Sequence, residues 1–316
     1  MEAPKLLVVC GPTASGKTAL SLSLARALGG EIGSADSMQI YRRMDIGTAK
    51  ATPEERALVP HHMIDVADPG EDYSVARYVE EASRCCEDIF ARGRLPILVG
   101  GTGLYIDSLL SGREFGKRED DSALRDALNA RYDELGGEAM LAELRSFDPE
   151  RAALLPAADK KRIVRAIEVY RLTGETITEH DRRSRLLPPR YRSAVLIPGF
   201  LDRSRLYARI DARVDQMLSQ GLVQEVRSLL DAGLSPACTA MQAIGYKEIT
   251  ACLEGRCTLS EAAGQIKLSS RRYAKRQLTW FQRCTGACRL YHDAPGSSPE
   301  ALLREALAFS RVSLEQ

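Results

Sequence analysis

Short apolar runs alternate with a helix-periodic pattern over the first 112 residues. The apolar runs cover residues 5–10, 63–66 and 96–99, and each is short enough for a strand buried on both faces of a parallel sheet. The short run of residues 31–35 could be a further strand. A helix-periodic stretch after the first run extends to residue 28, and residues 74–92 predict a helix with Ser74 as its N-cap. Strands that alternate with helices predict a βαβ sheet with right-handed crossovers.

The pattern changes at about residue 113. Residues 122–180 are charged and helix-periodic, and they contain no strand-like run. A strand-like run returns at residues 194–197. We therefore expect an all-helical insertion domain at 113–189, within an α/β core that is made of residues 1–112 and 190–316.

The rest of the core sequence is mostly helix-periodic. Amphipathic stretches cover residues 204–219, 221–231 and 258–283. A last apolar run, residues 288–291, predicts an edge strand. We assign no function to the residues after Asp293.

Composition places the chain among ordinary globular proteins. Of its 316 residues, 44% are hydrophobic and 28% charged, and no apolar run approaches the roughly 18–20 residues that span a bilayer. None of the eight cysteines forms a Cys-x-x-Cys pair, so we expect reduced thiols and no zinc site. The N-terminus shows no signal-peptide cleavage pattern, and we expect a cytoplasmic protein.

A phosphate-binding motif follows the first predicted strand. Residues 11–18 fit the pattern G-x-x-x-x-G-K-[ST] in its required place between a strand and a helix, so we expect a P-loop-type parallel sheet flanked by helices. In such a loop the backbone N–H groups converge on phosphate oxygens. Lys17 would add a cation, and the Thr18 hydroxyl is placed to ligate Mg²⁺. The motif leaves open whether the ligand is ATP, GTP or a pyrophosphate leaving group.

Asp36 is a candidate for the chemistry. It follows the run at 31–35, and the carboxyl ends of strands in an open α/β sheet lie near the ligand crevice. Its carboxylate could serve as a general base, as a metal-associated group or as a turn residue. Residues 45–50 add a glycine turn and a lysine in the same neighbourhood.

Two further segments could contribute to the site. Residues 100–103 (Gly-Gly-Thr-Gly) follow the run at 96–99, and they could admit a ligand closely or simply form a turn. Adjacent residues on a strand face opposite ways, so at most one of His61 and His62 can face a site. Structural roles are the favoured interpretation for both histidines.

Basic residues are concentrated in three clusters although the formal net charge is only +1. Residues 263–291 contain seven Lys or Arg residues and no acidic residue. The residues of this cluster that recur every four positions, on one helix face, are Lys267, Arg271 and Lys275. The other clusters lie within residues 160–165 and 182–192. One charge run is usually a solvated face, but three such patches favour binding to a nucleic-acid backbone.

Aromatic residues near these clusters could stack on unpaired bases, as recognition of single-stranded RNA requires. The candidates are Tyr246, Tyr273 and Trp280. Any of the three could instead belong to the hydrophobic core.

Nine segments in a fixed order carry a family resemblance. They are GPTASGKT at 11–18, DSMQIY at 36–41, DIGTAK at 45–50, HHMID at 61–65, GGTGLY at 100–105, KRIVRAIEV at 161–169, RVDQM at 213–217, AIGYKE at 243–248 and KRQLTW at 275–280. With these segments the chain resembles the tRNA dimethylallyltransferases, also called tRNA isopentenyltransferases, along nearly its whole length.

The resemblance implies a reaction and its residues. Such enzymes transfer the dimethylallyl group of dimethylallyl diphosphate to N6 of adenine 37, beside the tRNA anticodon, and release diphosphate. The phosphate-binding loop would hold this donor rather than ATP, with Mg²⁺ as cofactor and Thr18 as its ligand. Carried over to this sequence, Asp36 is the general base, and Thr13, Lys17 and Arg213 hold the diphosphate.

The resemblance also assigns binding residues and partners. The donor-binding residues are Gly11, Pro12, Thr13, Ala14, Ser15, Gly16, Lys17 and Thr18. The tRNA-binding residues are Asp36, Ser37, Met38, Gln39, Thr102, Arg125, Lys161, Arg162, Ile163, Val164, Arg165, Gln242, Ala243, Ile244, Gly245, Tyr246, Lys247, Lys275, Arg276, Gln277 and Trp280. The expected partners are a tRNA anticodon stem-loop and dimethylallyl diphosphate, with no membrane, and the expected state is a monomer.

Three other functions compete with this one. A small-molecule kinase would use the same loop with ATP, but it leaves the basic clusters unexplained. An adenylate isopentenyltransferase would prenylate free AMP, ADP or ATP, and it needs neither the helical insertion nor the basic C-terminal helix. A non-catalytic RNA-binding module would not require an intact phosphate-binding loop.

Overall fold

The computed structural model describes residues 3–112 and 122–315. The strands in these ranges are β1 (Lys5–Cys10), β2 (Gly30–Ser34), β3 (His61–His62), β4 (Leu95–Gly100), β5 (Arg192–Gly199) and β6 (Cys288–Tyr291). The helices are α1 (Lys17–Leu28), α2 (Pro53–Leu58), α3 (Val75–Ala91), α4 (Gly103–Leu110), α5 (Ser122–Leu135), α6 (Gly137–Phe147), α7 (Pro149–Ala153), α8 (Lys160–Thr173), α9 (Ile177–Leu186), α10 (Arg203–Ser219), α11 (Leu222–Asp231), α12 (Tyr246–Leu253), α13 (Leu259–Phe281) and α14 (Pro299–Glu315). A 3₁₀ turn covers Ala240–Gln242.

The strands of the described ranges form one parallel sheet in the order β3–β2–β4–β1–β5–β6. In the central strand β1, residues 6–10 are all buried, because helices cover both faces of such a sheet. The predicted α/β fold is confirmed, and so is the edge strand at 288–291. The carboxyl ends of β1, β2 and β4 meet at one edge of the sheet, where the loops of the candidate site begin.

The predicted strand at residues 63–66 is wrong. The strand is the two-residue β3 just before it, and the following segment is a turn in which Met63 and Asp65 have φ of 60° and 58°. An extended strand cannot accommodate these left-handed residues. The apolar character of the run reflects the burial of Met63, not a strand.

The helices follow the predicted amphipathic stretches closely. Ser74 caps α3 as expected, since its side chain accepts a hydrogen bond from the Arg77 N–H. Helix α14, after Asp293, packs against α1, β5 and β6 and extends the hydrophobic core with Leu302 and Leu314. In the part of the chain that the structure describes, no helix is both long and apolar enough to cross a membrane.

The chain divides into two compact units, Met1–Leu110 with Arg190–Gln316, and Ser111–Pro189. The predicted insertion boundary at residue 113 lies outside the described residues. In the second unit, α5 to α9 surround a core of their own. Its most completely buried large side chains are Leu128, Met140, Leu144, Ile163 and Ile167.

A second hydrophobic cluster in the first unit positions the candidate site. Ile40 and Met44, from the long connection after β2, pack in one cluster with Val214 of α10, Leu222 of α11 and Ile266 of α13. The loop that follows Asp36 is therefore anchored on the C-terminal helices rather than only on the sheet.

Candidate active site

The P-loop, residues 11–18, contains two glycines and one alanine in a left-handed or related backbone conformation. Gly11, Ala14 and Gly16 all have positive φ, at 144°, 61° and 85°. The Lys17 Nζ donates to the carbonyls of Gly11 (3.0 Å) and Pro12 (2.5 Å). The buried hydroxyl of Ser15 has no hydrogen-bond partner among the described residues. A buried polar group without a partner is costly, and an oxygen of a ligand in the loop could supply that partner.

Two cations and one carboxylate lie close together above the P-loop. Burial and the nearby Arg213 lower the pKa of the Lys17 ammonium to about 8, while Asp36 acts in the opposite sense. Burial also lowers the pKa of the Arg213 guanidinium, again opposed by Asp36. Two poorly solvated cations against a single carboxylate make a site with excess positive charge, which favours a polyvalent anion.

Asp36 caps the turn that follows β2. Its Oδ1 accepts hydrogen bonds from the N–H groups of Met38 (2.9 Å) and Gln39 (3.4 Å). The turn role left open by the sequence is therefore real, and it fixes the orientation of the carboxylate. Because Asp36 also influences Lys17 and Arg213 electrostatically, the same turn delivers it to the anion site.

Gln277 of α13 joins the P-loop to the glycine-rich turn after β4. Its Oε1 accepts from the Thr13 N–H, and its Nε2 donates to the Gly101 carbonyl, both at 2.9 Å. A Cβ at position 101 would lie 2.1 Å from the Gln277 Nε2, so any residue other than glycine would displace this side chain. With 5% exposure, the Gln277 side chain has almost no surface to present to tRNA, and that assignment is corrected: it positions the P-loop.

Thr102 joins the turn after β4 to the turn that holds Asp36. Its hydroxyl oxygen accepts from the Ser37 N–H (3.0 Å), and its own N–H donates to the Ala35 carbonyl (3.1 Å). Tyr273 of α13 completes this contact, and burial, with a smaller contribution from Asp36, raises its pKa to about 12. Tyr273 is therefore a neutral hydrogen-bonding group at the site.

Glu225 of α11 organises the loop at 45–50, and the sequence analysis did not identify it. Its carboxylate accepts from the N–H groups of Asp45 (2.9 Å), Ile46 (2.8 Å) and Gly47 (3.1 Å) and from the Tyr246 hydroxyl (2.6 Å). No local signal marks it, because 180 residues separate Glu225 from Asp45. Tyr246 is 0% exposed, so its predicted role as a stacking or tRNA-binding side chain is wrong.

Gln39 and Lys50 hold the same loop from its other side. The Gln39 Nε2 donates to the carbonyls of Thr48 and Ala49. Lys50 is buried and donates to the Tyr41 carbonyl and to the carboxylates of Asp45 and Asp65. Both side chains are therefore structural, and Lys50 is not a cation of the anion site.

The two adjacent histidines have the structural roles that the sequence favoured. The His62 Nε2 pairs with Glu31 and the His61 Nδ1 with the Val59 carbonyl, each at 2.7 Å. Neither histidine belongs to the groups around Asp36.

Comparison with known proteins identifies the family. A model described as IPP transferase matches residues 39–284, and one described as isopentenyl transferase matches residues 4–60. The tRNA dimethylallyltransferase of Geobacillus thermodenitrificans (strain NG80-2) is 50% identical over 280 residues, which are 88% of this chain and 87% of that protein. The chain belongs to the IPP transferase family.

Solved structures agree with this family. The full-length tRNA isopentenylpyrophosphate transferase from Bacillus halodurans is 40% identical, with a TM-score of 0.72 and coverage of 98% of this chain and 97% of that one. A eukaryotic dimethylallyltransferase acting on tRNA has a TM-score of 0.77 at 31% identity, over 88% of this chain and 70% of that one. The family predicted from the sequence is confirmed, and with it the class of enzyme, a prenyltransferase that modifies tRNA.

The basic stripe of α13 is only partly available to a nucleic acid. Lys267 pairs with Asp215 and Arg271 with Asp211, both on α10, at 2.7–2.8 Å. Two of the three cations that recur every four residues are thus held by acids that periodicity alone could not reveal. The exposed cations of this helix are Arg272, Lys275 and Arg276. Trp280 is 38% exposed, and its Nε1 donates to Asp107 at 2.9 Å.

The predicted tRNA-binding stretch 242–247 is also divided by burial. Gln242 and Lys247 are exposed, whereas Ala243 and Gly245 lie in the interior. Gln242 and Lys247 line a cleft of about 360 Å³, together with Arg256. The exposed part of this stretch therefore consists of Gln242 and Lys247 rather than the whole segment.

In the second unit, the predicted tRNA-binding stretch is the first half of α8. Ile163 and Val164 are buried in the core of that unit, so their side chains are not RNA contacts, which corrects the prediction. Lys161 and Arg162 are exposed. The remaining two cations of the prediction, Arg125 and Arg165, pair with the buried Glu168 at 2.8 and 2.7 Å.

The arginine cluster within 182–192 is paired as well. Arg182 bonds to Glu150, Arg183 to Glu175 and Arg190 to Glu87. The side chain of Arg185 lies outside the described residues. Exposed pairs of this kind contribute little stability, so a phosphate can replace the carboxylate at small cost.

Proposed function

We propose that this chain transfers the dimethylallyl group of dimethylallyl diphosphate to N6 of adenine 37, beside the anticodon of a tRNA. The observation that supports it best is the convergence of the P-loop, Asp36 and Arg213 at one edge of the sheet. An anion site with a carboxylate beside it suits a reaction in which a diphosphate leaves and a weakly acidic amine is deprotonated.

The donor diphosphate binds in the P-loop, residues 11–18. Thr13, Lys17 and Arg213 contact it, and the buried Ser15 hydroxyl gains a partner from one of its oxygens. Because negative charge on the diphosphate grows as the C–O bond breaks, cations held out of water stabilise the transition state more than the bound donor.

A magnesium ion fits the start of α1. Thr18 offers a hydroxyl oxygen, and oxygen is the type of ligand that Mg²⁺ prefers. Thr18 would hold the ion together with diphosphate oxygens and water. When bound, Mg²⁺ supplies charge stabilisation to the leaving group.

Asp36 acts on the acceptor adenine. The N6 amine is a weak nucleophile because its lone pair is delocalised into the ring, and an aligned carboxylate that takes its proton makes attack on the allylic carbon easier. The adenine must leave the stacked anticodon loop to reach Asp36. The capped turn holds the carboxylate in place before the base arrives.

The side chains that we propose for tRNA binding are exposed in the structure. Lys275, Arg276 and Trp280 lie on α13 close to the site, and Lys247 lies on α12; Lys161 lies on α8 in the second unit. A free adenine nucleotide would need none of them, which favours tRNA over AMP as the acceptor. All eight cysteines are free, in agreement with a reducing compartment, and we place the enzyme in the cytoplasm as a monomer.

The test is an assay of the product. The protein is incubated with dimethylallyl diphosphate and unmodified tRNA, and the digested nucleosides are analysed by mass spectrometry. We expect prenylated adenosine from position 37. Parallel incubations replace tRNA by AMP, or the donor by ATP. Prenylated AMP without a tRNA product would point to an adenylate isopentenyltransferase, and phosphoryl transfer from ATP to a kinase.

A further inference from the structure

The outer side of the P-loop carries a contact that the chemistry above does not use. Ala14 has a φ of 61° and Gly16 one of 85°. A residue with a side chain, such as Ala14, keeps this conformation only where its surroundings impose it. What surrounds the loop on this side therefore decides whether it holds its shape without a ligand.

Two side chains from distant elements bind consecutive carbonyls of the loop. The Arg209 Nε donates to the Ala14 carbonyl at 3.0 Å. The His292 Nε2 lies 2.8 Å from the Ser15 carbonyl, and it donates, because a carbonyl oxygen can only accept. His292 also fills the space beside Gly16, where a Cβ would lie 2.7 Å from the Nε2.

Both side chains are themselves held in place. The Arg209 guanidinium lies 5.5 Å, and the His292 ring 5.1 Å, from the centre of the Phe200 ring at the end of β5. The His292 N–H donates to the Gly199 carbonyl at 3.0 Å. Arg209 lies one helical turn before Arg213 on α10, so the two arginines share a helix face.

Peptide geometry links these outer contacts to the anion site. In a planar trans peptide the C=O and the N–H point in opposite directions. Holding the carbonyls of Ala14 and Ser15 outward therefore directs the N–H groups of Ser15 and Gly16 the other way. In agreement with this direction, the Ser15 N–H makes a weak hydrogen bond inside the loop, to the Pro12 carbonyl at 3.4 Å.

We propose that Arg209 and His292 are positioning residues that hold the P-loop in its diphosphate-binding form by donating to the Ala14 and Ser15 carbonyls. The proposal rests on the proposed function, since it takes the loop to be the donor site. His292 lies beyond residues 39–284 that the family model matches. It acts through the loop, not on the reacting atoms.

Titration of inorganic diphosphate with Mg²⁺ into the full-length protein tests the proposal. His292→Ala and Arg209→Ala should each weaken binding about 3- to 10-fold, as expected for the loss of one hydrogen bond. The donor KM should rise in parallel, while the tRNA KM stays unchanged. His292→Gln, whose amide can donate to the same carbonyl, should recover most of the affinity.

Two further variants make the result specific. Arg205→Ala removes a cation from the same helix face without touching the loop, so it should bind diphosphate like the wild type. The double variant Arg209→Ala with His292→Ala should deviate from additivity, because both side chains act on one loop. If His292→Ala fails to fold, Arg209→Ala and His292→Gln still decide the question.

The outcomes separate this proposal from the proposed function. Wild-type diphosphate affinity in both alanine variants would overturn the positioning role, as would parallel losses of tRNA and diphosphate that follow the melting temperature. Lys17→Ala is measured alongside. If it loses diphosphate while the other two do not, only the positioning role fails; if it binds as tightly as the wild type, the loop is not the donor site.

Discussion

Lys17 makes hydrogen bonds within the P-loop that contacts to a diphosphate could replace. Its ammonium donates to the carbonyls of Gly11 and Pro12, so its charge is partly satisfied before the donor arrives. Arg213 lies close enough to lower the pKa of Lys17, because two nearby positive charges repel each other. Under the proposed function, an incoming diphosphate would relieve this repulsion, which would add to its affinity.

The lowered pKa of Lys17 predicts a pH dependence of donor binding. The ammonium form binds the diphosphate, so kcat/KM for dimethylallyl diphosphate should fall as pH rises through about 8. Lys17→Arg, which stays charged, should abolish this fall even if its activity is lower. The profile is measured at saturating tRNA.

Unfolding would not account for such a fall in kcat/KM. The pKa of Lys17 in the folded protein lies below its ordinary value of 10.5, so between about pH 8 and 10.5 the unfolded chain binds more protons. The contribution of Lys17 to stability therefore rises with pH across this window. A flat kcat/KM profile up to pH about 9.5 would contradict the role of Lys17.

Asp36→Asn separates chemistry from recognition. Asparagine can still cap the turn by accepting from the Met38 N–H, but it cannot take a proton. We expect kcat to fall by about 10²–10⁴, with tRNA and donor affinity little changed. Single-turnover rates at saturation give the measurement. Collapse of tRNA affinity with intact chemistry would instead make Asp36 a recognition residue.

At the scale of elements, α13 serves two purposes on two faces. Ala274, Gln277 and Phe281 are buried, and Gln277 contacts the P-loop, whereas Lys275 and Arg276 are exposed. The helix is 23 residues long and links the core of the first unit to the basic surface. Substitutions one or two positions apart should therefore affect different substrates.

The exposed face of α13 should determine the salt dependence of tRNA binding. Lys275→Ala with Arg276→Ala should weaken tRNA binding and flatten the plot of log affinity against log salt. The slope should change by up to about 0.9 for each phosphate that is no longer neutralised, using the duplex estimate. The donor KM should not change.

Arg271→Ala is the matched comparison: because Arg271 is paired with Asp211, its effect on the slope should be smaller. Equal slopes in all variants would make this face ordinary surface.

For the buried face of α13 we expect the opposite result, a change in donor binding without a change in tRNA binding. Gln277→Ala removes the bond to the Thr13 N–H and the bond to the Gly101 carbonyl, so the donor KM should rise about 10-fold or more. The affinity for tRNA, measured by filter binding without donor, should stay near that of the wild type. Loss of tRNA affinity alone would restore Gln277 as an RNA contact.

Features that depend on neighbouring residues could be predicted from the sequence. Features that depend on contacts between residues far apart in the chain could not. The P-loop, the N-cap of α3 and the strand after Pro189 all follow from neighbours in the chain. Asp211 and Asp215 are invisible as partners of the α13 cations, because a periodic pattern describes one helix and not the helix packed on it. Gln277 likewise resembles one more residue of a basic segment, because its burial depends on residues far away in the chain.

At the scale of the whole molecule, the site depends on contacts between the N-terminal and C-terminal parts of the chain. β1 carries the P-loop and pairs with β4 and β5, and α10 to α13 hold the loops that follow β2. Glu225 shows the same dependence, since one carboxylate from α11 binds three consecutive N–H groups of the loop at 45–47.

Glu225→Ala should therefore weaken the fold as well as the site. It leaves three loop N–H groups and the Tyr246 hydroxyl without their acceptor, which should lower the free energy of unfolding by about 1–3 kcal/mol. Urea unfolding measures the loss. Glu225→Gln keeps one carbonyl oxygen and should lose less. An unchanged urea midpoint in the alanine variant would show that water replaces the carboxylate without penalty.

The strand order has a consequence for biosynthesis. β1 pairs with β5, with Lys5 opposite Arg192. The first strand to be synthesised therefore lacks its partner on this side until β5 has been made. At about 5–20 residues per second the interval is roughly 10–40 s. Throughout this interval, one edge of β1 has no partner strand while translation continues. A nascent parallel sheet of this kind folds slowly and exposes apolar strands, so we expect it to depend on chaperones that bind emerging chains.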